Sequence, residues 1–219
     1  MRFALASFLT AFALVAFARA WGGAAWLLLW PAASATIVGA AYLVSAPGIF
    51  GKRPDGRIPA WSLALHAPAL SFTWSVWWLS TLARGPAGTE VAPGVWLGRR
   101  PLAGQLPPGT TLVVDLTAEF PSYRSDVPLL VVPTLDGTAP AIEAAASALE
   151  RALAAPAPIW IHCAAGRGRS AALAAALLVR RGLAPDVEAA EAALRAARPG
   201  VRLTRSQRAL ARALVERVR

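Results

Sequence analysis

The fold is decided by the stretch Ile161-His162-Cys163-Ala164-Ala165-Gly166-Arg167-Gly168-Arg169-Ser170. A short apolar pattern typical of a strand precedes this stretch, and an alanine-rich helical pattern follows it. A turn from a strand into a helix directs several backbone N–H groups and the positive end of the helix into one small concavity. The two glycines of the loop let the backbone approach a ligand closely. The stretch therefore predicts an α/β domain with a site for a tetrahedral anion.

Cys163 is the chain's single cysteine, and it lies at the floor of this predicted site. The helix N-terminus, the amide dipoles and the nearby arginine favour a thiolate, so we expect its pKa to fall below the value of about 8.5 for a free cysteine. A thiolate is a competent nucleophile. We expect Arg169 to hold two oxygens of the anion and Ser170 to donate a hydrogen bond to the sulfur. We expect His162 to order the loop from behind.

After residue 94 the chain alternates between short strand patterns and helical patterns. The predicted strands are Val95–Leu97, Thr111–Leu116, Leu129–Val132 and Ile159–His162. The predicted helices are Pro140–Ala154, Ser170–Arg181, Pro185–Ala197 and Arg205–Val218. This alternation indicates a central, mainly parallel sheet flanked by helices.

Three apolar stretches without lysine, arginine or acidic residues precede that domain: Phe3–Ala18, Ala24–Ala46 and Ile58–Ala83. A membrane-spanning helix needs about 20 apolar residues, so the second and third stretches qualify and the first is marginal. Tryptophans near their ends fit the aromatic belt of a membrane interface. We therefore predict a membrane region with two or three transmembrane helices at 1–84, a Gly- and Pro-rich linker at 85–94 and a catalytic domain at 95–219.

Two questions about the membrane region stay open. The apolar run that ends in Ala18-Arg19-Ala20 also resembles a cleavable signal peptide, although a first membrane helix is the preferred interpretation. Lys52, Arg53 and Arg57 favour a cytoplasmic loop. A crossing by the third stretch would place the domain on the opposite side, although arginines near the domain's start favour the cytoplasm as well. Because a reduced thiolate also favours the cytoplasm, we expect a multi-pass cell-membrane protein with a cytoplasmic catalytic domain.

Composition excludes several classes of protein. Apolar residues make up 56% of the chain and charged residues 16%, which excludes a disordered chain. Basic residues exceed acidic ones by 22 to 12, but Lys52 is the only lysine and no aromatic-plus-basic motif is present, so we predict no nucleic-acid partner. One cysteine and two histidines exclude a disulfide framework and a four-ligand Cys/His zinc site. We predict no metal and no cofactor.

The sequence HCAAGRGRS at His162–Ser170 resembles the HCxxGxxRS loop of the cysteine-dependent protein tyrosine phosphatases, and in particular their compact dual-specificity branch. The resemblance covers about 95–218 and includes the segments Trp96-Leu97-Gly98 and Arg198-Pro199. Leu135–Pro140 resembles the acid loop of that branch. This loop, together with Ala171 after the serine, is most similar to the mitochondrial-type phosphatases that act on phosphatidylglycerophosphate. Many tyrosine phosphatases have glycine at the position of Ala171, so the resemblance does not imply a strictly phosphotyrosine substrate.

The resemblance implies a two-step hydrolysis of phosphomonoesters. Cys163 is the expected nucleophile, Arg169 and the loop amides stabilise the phosphoryl oxygens, and Ser170 helps the thiolate depart. Asp136 is the expected general acid and then base, with Asp126 as the reserve candidate. The expected phosphate-binding loop consists of Ala164, Ala165, Gly166, Arg167 and Gly168.

Further residues are weaker candidates. Glu119, in the segment Asp115–Glu119 that resembles the end of a strand before the acid loop, is expected to orient Arg169 or another arginine through a salt bridge. Thr117, Tyr123 and Arg124 are candidates for lining the pocket.

Three functions fit these residues. The first is a membrane-anchored phosphatase that acts on a phospholipid head group or on a phosphoprotein. The second is a catalytically inactive phosphate- or phospholipid-binding module of the same fold. The third is a rhodanese- or arsenate-reductase-like thiol enzyme, although the arsenate-reductase type carries its anion loop near the start of its domain.

Overall fold

The computed structural model describes residues 2–82, 85–123 and 126–217. Ala83 and Arg84 at the predicted domain boundary, the candidate pocket residue Arg124 and the helix-terminal Val218 therefore lie outside the described residues. Contacts group the chain into two compact units. One unit holds the residues up to 52 and 58–82, and the other holds Arg53–Arg57 and the residues from 85 onward.

The first unit is helical. Its helices are α1 (Arg2–Trp21), α2 (Leu29–Val44) and α3 (Ala60–Leu82), and 3-10 turns occupy Gly23–Leu28 and Pro47–Phe50. The first two helices form an antiparallel hairpin, since Phe3 stacks on Tyr42 at 5.2 Å. A Cβ on Gly39 would lie 3.1 Å from the Phe8 ring, so a small residue is needed at this helix–helix contact. Trp30 Nε1 donates a hydrogen bond to the carbonyl of Leu65 in α3, at 3.2 Å.

Two helical stretches in the described part of the chain are long and apolar enough to cross a membrane: Arg2–Trp21 and Gly23–Val44. Only 17% and 22% of these stretches is buried inside the molecule. The first stretch, expected to be marginal, meets the criterion. The third stretch, expected to qualify, does not, because the serines, tryptophans and histidine of α3 lower its mean hydropathy. Signal sequences and core helices of soluble proteins share this length and composition.

The second unit is an α/β fold built on five strands: β1 (Gly88–Ala92), β2 (Val95–Arg99), β3 (Leu112–Asp115), β4 (Leu129–Val131) and β5 (Ile159–Cys163). The order in the sheet is β1-β2-β5-β3-β4. The pairs β2–β5, β5–β3 and β3–β4 are parallel, and β1 alone is antiparallel to its neighbour. The mainly parallel sheet predicted from the sequence is confirmed.

Strand β1 corrects the prediction of a linker at 85–94. Its residues pair with β2 through a tight turn, in which Gly94 has a φ of +70° and its N–H is accepted by the Glu90 carboxylate at 2.7 Å. A β-hairpin turn and a flexible linker share a Gly- and Pro-rich composition, so composition alone could not separate them. The α/β unit therefore begins before Val95.

Four helices cover the inner face of the sheet: α4 (Ile142–Ala154), α5 (Arg169–Arg180), α6 (Val187–Ala197) and α7 (Arg205–Glu216). Helix α5 is at the centre, and all its residues from Ala171 to Leu178 are buried. They belong to the same core cluster as Leu97 of β2 and Ile161 of β5. Because most of these residues are alanine, the helix can approach the sheet closely and hold its N-terminus in a fixed position.

The opposite face of the sheet is filled by Trp160, which is only 1% exposed. Its ring lies over two glycines, since a Cβ on Gly88 would be 2.1 Å from the ring and a Cβ on Gly98 would be 2.3 Å from it. Trp96 stacks on the same ring with centroids 6.2 Å apart. The glycines are needed here because they leave room for the indole.

We expect Gly98→Ala to lower the free energy of unfolding by about 1–3 kcal/mol, because the added methyl group overpacks against the Trp160 ring. The measurement is thermal unfolding of the detergent-solubilised protein, followed by circular dichroism. Gly85→Ala is the matched control, since nothing lies within 4 Å of a Cβ at that position. Equal melting temperatures for the two variants would contradict the packing described here.

Candidate active site

The candidate site lies at the carboxyl edge of the parallel strands. Strand β5 ends at Cys163 and helix α5 begins at Arg169, so the loop 164–168 spans the gap between them. The neighbouring strand β3 ends at Asp115, which pairs with His162. The sheet thereby brings the segment 115–119 beside the loop, although the two lie far apart in sequence.

Donors outside the loop hold all its carbonyl groups. Ala164 O accepts from the backbone N–H of Arg100 at 3.4 Å, and Arg167 O accepts from the N–H of Arg202 at 3.0 Å. The Arg198 guanidinium donates to the carbonyls of Ala165 and Gly166 at 3.4 and 3.1 Å, and Gly168 O accepts from Ala172 within α5. With the carbonyls held from outside, the Gly166 N–H is left to face the cysteine.

Gly166 is the position where the loop requires glycine. Its φ is +70°, and a Cβ there would lie 2.4 Å from the carbonyl of Gly98 in β2. The close approach turns the Gly166 N–H toward Cys163, and the N···Sγ distance is 3.3 Å. A side chain at this position would push the loop away from the sheet and remove this bond.

The Cys163 thiol is 3% exposed and lies among hydrogen-bond donors. Its Sγ accepts from Gly166 N and from the Ser170 hydroxyl, each at 3.3 Å. Burial raises the pKa of this thiol, but the positive charge of Arg169 and the hydrogen bonds from Ser170 and the loop outweigh burial, so the pKa lies below the ordinary value of a cysteine. The environment therefore favours the thiolate.

The Arg169 guanidinium is buried and held from behind by Glu119. Its Nη1 and Nη2 donate to the two carboxylate oxygens at 2.9 and 2.8 Å, and Nη1 also donates to the carbonyl of Thr134 at 2.7 Å. Burial alone would lower the pKa of Arg169, but Glu119 and the Cys163 thiolate raise it well above the ordinary value. Its Nε is buried with no hydrogen-bond partner among the described residues. An oxygen of a bound anion would satisfy this donor.

Asp136 stands at the mouth of the site. The turn that carries it is closed by Thr138, whose N–H and hydroxyl donate to the Leu135 carbonyl at 3.2 and 2.8 Å. The carboxylate Oδ1 lies 3.1 Å from Arg169 Nη2, and the side chain is 62% exposed. Asp136 thus contacts Arg169 and is also open to solvent.

Gln207 of α7 joins the acid loop to the phosphate-binding loop. Its Nε2 donates to Thr138 O at 2.9 Å, and its Oε1 would lie 3.0 Å from a Cβ on Gly168. The same side chain forms a capping box with Thr204 at the start of α7. Gln207 thereby sets the distance between the two loops.

The structure places other predicted residues outside the anion site. Asp115 is fully buried, and its carboxylate accepts from the N–H and hydroxyl of Thr117 at 2.8 and 2.7 Å and from the Ser122 hydroxyl at 2.5 Å. Thr117 therefore stabilises this turn rather than lining a pocket. His162 is buried behind the loop, with Nδ1 3.4 Å from Cys163 O. Asp126 is exposed, and within the described ranges no contact joins it to the cysteine or the arginine.

Sequence reasoning missed the positioning roles of Arg198, Arg100 and Gln207. Arginine is so frequent in this chain that a single one carries no signal. The available indication was the resemblance of Arg198-Pro199 and Gln207 to the closing helices of the family. Their contacts with the loop depend on tertiary structure that no local pattern encodes.

Comparison with known proteins agrees with this geometry. No protein-family model and no curated protein sequence matches the chain. Among solved structures, Tk-PTP in its active form is 30% identical and superimposes with a TM-score of 0.51 over 62% of this chain and 100% of its own. A variant of human DUSP28 is 29% identical, with a TM-score of 0.51 over 60% of this chain and 96% of its own. PTPMT1 in complex with PI(5)P is 21% identical, with a TM-score of 0.51 over 59% and 94%, and shares the fold.

The mainly parallel sheet and the Cys163 loop are those that the sequence resemblance implies, and the solved structures named above share this fold. The neighbours are tyrosine and dual-specificity phosphatases, which are phosphoric monoester hydrolases. The chain therefore belongs to the cysteine-dependent protein tyrosine phosphatase superfamily, in its compact dual-specificity branch.

Proposed function

We propose that this protein is a membrane-anchored phosphatase that hydrolyses phosphomonoesters through a phosphocysteine intermediate. One observation carries the proposal. The Cys163 sulfur accepts hydrogen bonds from Gly166 N and Ser170 Oγ, each at 3.3 Å, beside a buried, charged Arg169 whose Nε is available to an anion. This arrangement places the nucleophile directly beside the position where a phosphoryl group would bind.

In the first step the thiolate attacks phosphorus in line, and the S–P bond forms as the P–O bond to the leaving group breaks. Arg169 and the loop N–H groups stabilise the charge on the equatorial oxygens. Asp136 transfers its proton to the leaving oxygen, so that a neutral alcohol or phenol departs. Asp136 lies at the open mouth of the site, where the leaving group would be, and can therefore donate this proton.

In the second step water attacks the phosphocysteine. Asp136, now ionised, takes a proton from that water, and the S–P bond breaks to release inorganic phosphate. The departing sulfur regains its hydrogen bond from Ser170, which stabilises it as a leaving group. The protein returns to the thiolate form with Asp136 protonated.

We propose a phospholipid monoester as the substrate, with a phosphoprotein as the second candidate. The acid loop resembles that of phosphatases acting on phosphatidylglycerophosphate, and helices α1 and α2 would hold the site near lipid. A protein with this fold, PTPMT1, has been crystallised with PI(5)P. An inactive binding module is the alternative function, but the presence of Cys163, Arg169 and Asp136 together favours turnover.

We expect the wild-type protein to release phosphate from phosphatidylglycerophosphate in mixed micelles faster than from phosphoinositides or phosphotyrosine peptides. Cys163→Ser is expected to release none, because a serine hydroxyl lacks the activated thiolate. The measurement is inorganic phosphate release. Full activity of Cys163→Ser would contradict the phosphocysteine mechanism. Binding of phospholipid without release from any substrate would favour the inactive module.

We expect Asp136→Asn to slow hydrolysis of alkyl phosphates by about 10²–10⁴-fold, because a poor leaving group needs the proton. Hydrolysis of p-nitrophenyl phosphate, whose leaving group departs without a proton, is expected to change far less. Asp126→Asn, on an exposed loop, is the matched control. A loss that is equal for both substrates would contradict the role of Asp136 as the general acid.

We expect Ser170→Ala to move the acidic limb of the kcat/KM profile to higher pH. The Ser170 hydroxyl stabilises the thiolate and lowers its pKa, so its removal raises that pKa and leaves less thiolate at a given acidic pH. The measurement is the pH profile with p-nitrophenyl phosphate. Ser206→Ala, at an exposed position, is the control, and a profile that shifts to lower pH or not at all would contradict this role.

A further inference from the structure

The acid loop is held on both sides of Asp136 by side chains from other elements. Two residues before Asp136, the carbonyl of Thr134 accepts from Arg169 Nη1 at 2.7 Å. Two residues after it, the carbonyl of Thr138 accepts from Gln207 Nε2 at 2.9 Å. The first of these side chains belongs to α5 and the second to α7. Asp136 therefore lies at the middle of a short turn that is anchored at two points.

The amide of Gln207 has only one orientation that satisfies its neighbours. Its Oε1 accepts from the backbone N–H of Thr204 at 3.0 Å, and its Nε2 donates to the Thr138 carbonyl. Because the N–H can only donate and the carbonyl can only accept, the reverse orientation would break both bonds. Gln207 is 1% exposed, so loss of the bond to Thr138 would leave a buried donor unsatisfied. The contact therefore stabilises one position of the acid loop.

Gly168 of the Cys163 loop packs against the same amide. A Cβ on Gly168 would lie 3.0 Å from Oε1 and 3.2 Å from Nε2 of Gln207. The φ of Gly168 is −124°, outside the left-handed region that favours glycine, so the close approach of the amide is the reason for a small residue here. Gln207 therefore contacts both the loop that follows the nucleophile and the loop that carries the acid.

Helix α7 gives this amide a firm support. Gln207 is in the first turn of the helix, which the capping box with Thr204 closes. Further along, Leu210 and Leu214 are buried in the core cluster that includes the centre of α5. The helix that carries Gln207 and the helix that carries Arg169 are thus fixed in the same core.

We propose that Gln207 is a positioning residue for the general acid, because it holds Asp136 over the Cys163 loop at the height of the leaving oxygen. The inference rests on the proposed phosphatase function. A general acid has to lie within about 3 Å of the atom that it protonates. The Asp136 side chain is 62% exposed, so apart from its contact with Arg169 its position depends on the two anchored ends of its turn. A misplacement of about 1 Å can cost on the order of 10²-fold in rate.

Gln207→Met tests the proposal in the full-length, detergent-solubilised protein, because methionine is unbranched, uncharged and has no donor for the Thr138 carbonyl. We expect kcat for an alkyl phosphate such as glycerol phosphate to fall by about 10–10²-fold. Hydrolysis of p-nitrophenyl phosphate, whose leaving group needs no proton, is expected to change far less. The measurement is the ratio of the two rates, from release of inorganic phosphate.

Thr204→Ala is the matched control. It removes the side-chain cap that accepts from Gln207 N at 3.3 Å, but it keeps the backbone N–H that holds Gln207 Oε1. We expect a lower melting temperature, since α7 loses its cap, and an unchanged ratio of the two rates. If Thr204→Ala changed that ratio as much as Gln207→Met, the stability of α7 would explain the effect and the proposal would be overturned.

A double variant separates positioning from a general structural role. In an Asp136→Asn background, we expect Gln207→Met to cause no further loss with the alkyl phosphate, because the acid that it positions is already absent. Losses that multiply in the double variant would overturn the proposal, as would an unchanged ratio of rates in Gln207→Met alone.

The outcomes also distinguish this inference from the function on which it rests. A wild-type protein that releases no phosphate from any substrate would overturn both. An active wild type in which Asp136→Asn shows its selective loss and Gln207→Met shows none would overturn the positioning role alone. If Gln207→Met shows no cooperative unfolding, Gln207→Glu takes its place, because glutamate keeps the capping box while its carboxylate cannot donate to Thr138. The same selective loss is expected.

Discussion

The proposed chemistry depends on two opposite charges that are buried next to each other, the Cys163 thiolate and the Arg169 guanidinium. A buried charge without a partner costs several kcal/mol, so each of them needs the other and needs further hydrogen bonds. Glu119 holds the arginine through a bidentate pair, and Gly166 and Ser170 donate to the sulfur. The site is therefore charged before any substrate binds, and an incoming phosphate completes it.

The fold supplies what this pair requires. The centre of helix α5 is built largely of alanine and packs against β2 and β5, which fixes the N-terminus that carries Arg169 and Ser170. Donors behind the loop bind its carbonyls, so the N–H groups stay in place without a ligand. Ser122 connects this centre to the segment Arg53–Arg57 of the same unit, since its hydroxyl donates to Asp115 and its N–H donates to the carbonyl of Gly56. The loop between α2 and α3 is thus two hydrogen bonds away from the segment that carries Glu119.

Local sequence patterns were sufficient to predict most strands and the helices of the α/β unit, and the Cys163 loop at the centre of the site. Four strands, four helices and the Cys163 loop follow from short sequence patterns, and a salt bridge of Glu119 with Arg169 or another arginine was predicted. Strand β1 was missed because a Pro-Gly hairpin turn has the composition of a linker. The orientation of the membrane region was undetermined because charge counts do not say whether α3 crosses.

We expect the buried Cys163 thiol to be ionised at neutral pH. Because Cys163 is the only cysteine, the ultraviolet absorbance of the thiolate, taken as the difference between the wild type and Cys163→Ser, reports on this one group during a pH titration. We expect a midpoint clearly below the value of about 8.5 of a free cysteine. A midpoint at or above that value would mean that burial outweighs Arg169 and the hydrogen bonds, and would contradict a thiolate at neutral pH.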